Sequence, residues 1–210
     1  MTKIDLKKDL KQLYRPSSRE IGLVEVPPLK FIMIDGRGDP NTAKEYQDAI
    51  ETLYGLSYTL KFGLKKEKAL DYAVMPLESL WWTDDMNQFS MTNKDIWKWT
   101  CMILQPDFIT DEIYRATLEK IDKKKPLPSL AKARFQIFQE GLSAQIMYTG
   151  PYSEEGPVIE KIHQYIKAEG YEFDGRVNKH HELYLSDFRR TAPEKLKTII
   201  RQPVGKLTGR

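Results

Sequence analysis

The sequence of 210 residues contains a single cysteine, Cys101, so no disulfide can form within the chain and no cysteine cluster can hold a metal. Cys101 sits in the apolar run WKWTCMIL and is expected to be a small buried hydrophobe. Histidine is scarce too. A catalytic zinc needs three protein ligands around one point. His180 and Glu182 fall on one strand face, but His181 falls on the other and His163 on a helix, so neither a metal nor another cofactor is expected. No apolar stretch approaches membrane-spanning length. The opening MTKIDLKKDLKQLY is charged and lacks the apolar core of a signal peptide, so a cytoplasmic protein without a membrane partner is expected. One-sided charge is also missing. Lys and Arg total 33 against 30 Asp and Glu, and a net charge of +3 is too small to argue for a nucleic-acid partner. The densest basic run, Lys123-Lys124-Lys125 before Pro126, reads as a helix end. DGRGDPN lacks the GK[ST] ending of a phosphate loop and the third glycine of a dinucleotide fingerprint, so it reads as a strand-to-helix turn. No G-x-S-x-G is present to support a serine hydrolase.

What is present is a unit that occurs twice. LKFIMIDG reads as a strand. Thr42 and Glu45 then form a candidate capping box, and Tyr46, Ile50, Leu53, Ser57 and Leu60 recur at helical spacing. LESLWW and IWKWTCMILQPDF follow as strands, which gives the order β-α-β-β. The second unit runs from LSAQIMYTGPY through the helical SEEGPVIEKIHQYIKAEG to HHELYLSD and KLKTIIRQPV, again β-α-β-β. Pro157 suits the first turn of that helix and Gly170 its C-terminal cap. The last strands end alike, in LQPD and RQPV, and each third strand carries a glutamate, Glu78 or Glu182. The expected fold is α+β: two βαββ modules in a pseudo-two-fold repeat, with antiparallel sheets, helices and a central ligand cleft. The modules span 21–108 and 135–204. A helix with a Thr110 cap links them over 109–134, a helical extension over 1–20 packs on the outside, and 205–210 is a tail of this one compact domain.

The third strand of the second unit raises the functional question. Side chains alternate along a strand. His181, Leu183 and Leu185 form its natural core face, which leaves His180, Glu182, Tyr184 and Ser186 on the other. Taken alone, that second face would meet water. The aromatic residues argue otherwise. Trp81, Trp82, Trp97 and Trp99 all fall in the last two strands of the first unit, and Tyr148 and Tyr152 flank the turn at Gly150-Pro151. Adjacent Trp81 and Trp82 must point to opposite faces, so at least one ring lies off the main core. Carboxylates amid rings, Glu182 and its counterpart Glu78, suit the lining of a pocket for a flat apolar or cationic aromatic ligand. In that pocket Glu182 would orient or deprotonate water, and Tyr184 would donate a hydrogen bond to a ligand carbonyl as charge develops on it. Arg189 and Arg190 read as surface or salt-bridging residues.

FIMIDGRGDPNT, VMPLESLWW, WKWTCMILQPDF, IMYTGPYSEEGPVIEKIH and HHELYLSDFRRTAPEKLKTIIRQPV resemble the GyrI-like small-molecule-binding proteins of the effector-binding superfamily, over roughly residues 20 to 204. The resemblance implies two βαββ modules around a ligand cleft, with a glutamate of the second module's third strand in that cleft. Glu182 holds that position here. Some members of the family are multidrug-sensing domains joined to a DNA-binding helix-turn-helix. The segment before the first unit has the length of one short helix, which does not suit that fusion. Stand-alone bacterial members resemble hydrolases of strained cyclopropane rings in DNA-alkylating compounds, which activate water within an aromatic cage, and LESLWW and HELYL fit that branch. Two functions stay open: a detoxifying hydrolase, or a non-catalytic drug sink or effector sensor acting through a partner. The protein is expected to be a monomer or homodimer.

Overall fold

A computed structural model describes residues 3–86, 89, 93–123, 127–173, 175 and 179–206. Its centre is one eight-stranded antiparallel sheet. The strands are β1 Gly22–Val26, β2 Leu29–Arg37, β3 Leu77–Trp82, β4 Lys98–Leu104, β5 Arg134–Phe138, β6 Gly141–Thr149, β8 His180–Tyr184 and β9 Lys197–Pro203. Their order across the sheet is β1-β6-β9-β8-β3-β4-β2-β5. Two-residue strands β7 Tyr171–Glu172 and β10 Gly205–Lys206 pair separately. The helices are α1 Leu6–Asp9, α2 Lys11–Tyr14, α3 Lys44–Lys68, α4 Asp111–Asp122 and α5 Gly156–Ala168.

The β-α-β-β order occurs twice, as β2-α3-β3-β4 and β6-α5-β8-β9. The two sets meet where β3 pairs with β8, and each places its first strand outermost. The strand before each set crosses to the other: β1 pairs with β6, and β5 with β2. The antiparallel strands therefore form a continuous sheet with β3 and β8 at its middle.

Helix α3 lies over β2 and β4, and the shorter α5 lies over β6. Tyr46, Ala49, Leu53, Leu56, Leu60 and Leu64 form the buried stripe of α3. Leu53, Leu56 and Leu60 are essentially inaccessible, and each such burial contributes about 2 kcal/mol. Ile162 and Ile166 of α5 pack with Ala144 and Ile200 in a smaller second cluster. Gly36 does not end the first apolar run in a turn. It lies within β2 opposite Trp99, where an added Cβ would sit 2.2 Å from the indole. At the end of α5, Gly170 takes φ +79, a backbone region that favours glycine.

One expectation changes. Thr42 does not cap α3: its backbone N–H joins a turn on Asp39, Ala43 is the N-cap residue, and Glu45 pairs with Lys132. The N-terminal segment forms the short helices α1 and α2, and of its described residues only Leu13 and Tyr14 are buried. The basic run does mark the end of α4, with Lys123 as its C-cap residue. The helix stops at Asp122, and Lys124, Lys125 and Pro126 lie outside the described residues, as do 207–210 of the tail. Thr110 does cap α4, its hydroxyl accepting from the Ile113 N–H. Among the described residues no helix is long and apolar enough to cross a membrane.

Candidate functional site

Register decides which side chains meet. Residues directly opposed in an antiparallel pair share a sheet face. Ser79 opposes Glu182 and Trp81 opposes His180, while β9 brings Ile200 beside Glu182 and Thr198 beside Tyr184. This face lies under α3 and α5, and its middle strands fall between the two helices. Tyr46, in the first turn of α3, reaches Ser79 and Tyr184. Glu155, the N-cap residue of α5, reaches Glu182.

Glu182 is the centre of the group. Its Oε2 accepts from the Tyr184 hydroxyl at 2.7 Å, and its Oε1 lies 2.8 Å from His180 Nε2. Gln202 Nε2 lies 2.6 Å from His180 Nδ1, so the imidazole bridges Gln202 and Glu182. The Tyr184 oxygen in turn accepts from Trp81 Nε1–H at 3.0 Å. Each carboxylate oxygen has a second lone pair, so Glu182 can accept more hydrogen bonds than these two contacts. Its side chain is 14% exposed.

The two carboxyls here are driven apart. Burial alone would raise Glu182, but His180, by hydrogen bond and charge, and the hydrogen bonds from Tyr184 and Glu155 outweigh it and hold the carboxyl below its ordinary value. Burial, and then the charge of Glu182, push Glu155 up to about 10. Among the described residues, Glu155 Oε1 is buried without a well-aligned hydrogen-bond partner, which is costly for a carboxylate and much less so for an acid. One carboxylate and one carboxylic acid thus sit side by side. Burial and the Glu182 charge also raise the Tyr184 hydroxyl well above its usual value, so it stays a donor. Tyr152 is pushed up to about 12 by the same two causes.

Rings surround the group. Tyr152 meets Tyr184 edge-on at 5.6 Å, and Tyr46 lies 5.6 Å from Trp81. Trp81 meets Trp97 edge-on at 5.5 Å, and Phe89 stacks on Trp97 at 4.5 Å and lies 6.5 Å from His180. Of the aromatic residues singled out in the sequence, Trp81, Trp97 and Tyr152 therefore gather at Glu182. Trp99 lies fully buried beneath Tyr46, 5.1 Å between rings. Trp82 points to the other face, with Lys179 Nζ 5.1 Å from its ring centre. Tyr148 donates to the Pro151 carbonyl and lines a separate surface cavity of about 470 Å³ with Arg19 and Lys161. Arg189 pairs with Asp187 at the surface. Among the described residues no group of three His, Cys, Asp or Glu is placed to hold a metal ion. His163 instead stacks on Phe173.

Glu78 lies on the opposite face of the sheet, fully buried. There His181 Nε2 is 3.1 Å from Glu78 and its Nδ1 is 2.8 Å from Glu140. Arg201 meets Glu140 at 3.1 Å and donates to the Leu13 carbonyl at 2.8 Å. Tyr14 donates to Glu78. Both imidazole nitrogens face carboxylates, which favours the cation. Burial lowers the His181 pKa, but Glu140 and Glu78 outweigh it and raise the value. Burial would raise Glu140, but His181 and Arg201 prevail and lower it. Two cations thus neutralise two carboxylates, and α2 covers them.

Glu155, His180, Tyr46 and Gln202 were not read as functional in the sequence. Gln202 carried a usable signal, the shared QP of LQPD and RQPV. Its counterpart Gln105 bonds Ser57 at 3.1 Å in the first half. Glu155 carried none, because a carboxylate in a turn normally faces water.

With this geometry in place, comparison with known proteins is informative. The GyrI-like small-molecule-binding domain matches residues 19–204. The chain belongs to that family. A search of curated proteins finds no match. Among solved structures, an uncharacterized conserved protein from Listeria innocua is 40% identical, with 97% of this chain and 100% of that one covered and a TM-score of 0.90. A hydrolase from Listeria innocua is also 40% identical, with the same coverage and a TM-score of 0.84. The EcmrR C-terminal domain, 14% identical over 90% of this chain and 98% of that one, shares the fold with a TM-score of 0.55. The α+β fold of this GyrI-like chain, with its sheet and few helices, is thus that of its relatives.

Proposed function

We propose that this GyrI-like domain binds a small, flat, apolar or cationic aromatic molecule beside Glu182 and hydrolyses it, with electrophilic cyclopropane compounds as the substrate class. The observation that carries this reading is the split carboxyl pair, with Glu182 held ionised and Glu155 held protonated in one water-poor group. Neighbouring carboxyls driven apart in this way serve as base and acid. The name of the Listeria innocua hydrolase, at 40% identity, points the same way.

In the step, Glu182 takes a proton from water as the water oxygen attacks a ring carbon. The strained C–C bond breaks, and its electron pair moves to the conjugated carbonyl. Tyr184 turns its O–H from Glu182 to that carbonyl oxygen, and Glu155 supplies the proton that completes the addition of water. Trp81, Trp97, Phe89 and Tyr152 hold the planar ligand by stacking. Because one sheet face supplies base, donor and rings together, the bound ring lies within reach of all three.

The test incubates the protein with a cyclopropane-bearing alkylator and follows the ring-opened hydrate by mass spectrometry. Turnover by the wild type and loss of it in Glu182→Gln, with binding retained as tryptophan quenching, is the expected result. Equal product with both proteins removes Glu182 as the base. Quenching without product leaves a drug sink and overturns the hydrolase reading.

A further inference from the structure

Helix α3 carries three aromatic rings in a row, running from Tyr54, half-buried against the core, to Tyr58 and Phe62 in solvent. Tyr54 stacks on Tyr58 at 6.2 Å, and Tyr58 on Phe62 at 6.0 Å. The spacing i, i+4, i+8 aligns them along the helix. Tyr58 is 46% and Phe62 58% exposed, against near-zero values for Leu53, Leu56 and Leu60 on the buried stripe. Phe188, on the loop after β8, is a further exposed ring at 62%. Solvent-facing helix positions are normally polar, so the two exposed rings that continue the row from Tyr54 are unexplained by the fold of one chain.

The charges on the same stripe say what covers it. At 100° per residue, Glu51 and Lys65 fall within 20° of Tyr58 around the helix, and both are exposed. They stand seven residues either side of Tyr58, as Tyr54 and Phe62 stand four either side. The stripe therefore reads acidic, ring, ring, ring, basic about a central tyrosine. A two-fold axis through Tyr58 that sets two such helices antiparallel places Glu51 against the partner's Lys65, Tyr54 against the partner's Phe62, and Tyr58 against its own copy. The pattern is self-complementary in shape and in charge, as an isologous interface requires.

We propose that this α3 face is the two-fold interface of a homodimer, occupied by a second copy of the same chain. Its opposed Glu51–Lys65 pairs fix the antiparallel register, and its aromatic ladder supplies the buried area. Lys65 also pairs with Asp71 within the chain at 2.8 Å, while Lys61 stands 3.3 Å from the same carboxylate and keeps it paired when Lys65 turns outward. Tyr58 stands about 120° around α3 from Tyr46 at 100° per residue, so the two rings serve different faces of the helix.

Sedimentation equilibrium over a dilution series tests this. The wild type is expected to dimerise, and Tyr58→Asp and Phe62→Asp to weaken the dimer at least tenfold with unchanged thermal melting, since both rings are exposed in the monomer. Glu51→Lys alone weakens association, and Glu51→Lys combined with Lys65→Glu restores it, because the two-fold then opposes unlike charges again. A wild type that is monomeric at the highest soluble concentration overturns the proposal. So does a dimer indifferent to Tyr58→Asp and Phe62→Asp, or a charge swap that fails to restore association.

Discussion

Glu78 and Glu182 sit in the third strands of the two β-α-β-β sets, and their environments could hardly differ more. Glu78 opposes Leu183 across the β3–β8 pair, whereas Glu182 opposes Ser79. That offset of one residue sends them to opposite faces of the sheet. On its face Glu78 meets His181 and Tyr14 in a cluster whose charges cancel. On the other, Glu182 has a second carboxyl for a neighbour, and the two settle their repulsion by one of them keeping its proton. Glu78 is fully buried and Glu182 is only 14% exposed, so burial alone does not separate the two acids. The sign of the surrounding groups does. A cancelled cluster is stable in one protonation state, whereas a like-charged pair holds a proton it can give up.

The same substitution at the two sites tests this contrast. Glu182→Gln is expected to give the largest effect, a fall in turnover of about 10²–10⁴-fold, the usual size for loss of a general base. Its urea midpoint should barely move, and steady-state kinetics beside a denaturation curve would check both. Glu78→Gln should do the reverse. Removing one partner of a buried charge cluster costs about 3 kcal/mol, while turnover per folded molecule stays near that of the wild type. Comparable loss of turnover in both variants would break the distinction.

A smaller effect follows from linkage. The folded pKa of Glu155 is raised to about 10, so its contribution to stability is fully present below the ordinary carboxylate value and is lost as pH rises towards 10. His181 is also raised, so its contribution is fully present below the ordinary histidine value, near about 6.5, and is lost as pH rises through the raised one. Glu140 is lowered, and its share is present above the ordinary carboxylate value and lost as pH falls through the lowered one. Stability should therefore decline from neutral to alkaline pH. Glu155→Gln should flatten part of that decline, raise stability at pH 8 by about 1–3 kcal/mol, and remove the alkaline limb of the kcat/KM profile. Urea titrations at several pH values and a pH–rate series would show whether one substitution does all three.

Legibility in the sequence followed the kind of signal available. The helical spacing from Tyr46 to Leu60 and the β-branched and aromatic strands placed the main elements, because local periodicity reflects which face is buried. The capping reading at Thr42 failed because the Asp39 turn engages its backbone first. Glu78 looked like the counterpart of Glu182, since both interrupt an apolar strand, and strand composition carries no information on register. The N-terminal segment reads as an added helix because it is charged and amphipathic, and its packing rests on two residues, Leu13 and Tyr14.

The amino-acid sequence by itself determined the α+β class, the doubled β-α-β-β order and the gathering of carboxylate, phenol and indole on two strands, since each of these is written in periodicity and residue type over short spans. The tertiary structure alone decided that Ser79 rather than Glu78 stands opposite Glu182 and that α5 delivers Glu155 to its side. It also decided that His180 and His181, adjacent in the chain, serve opposite faces. Those outcomes depend on pairing between segments about a hundred residues apart, where a shift of one position reverses every side chain.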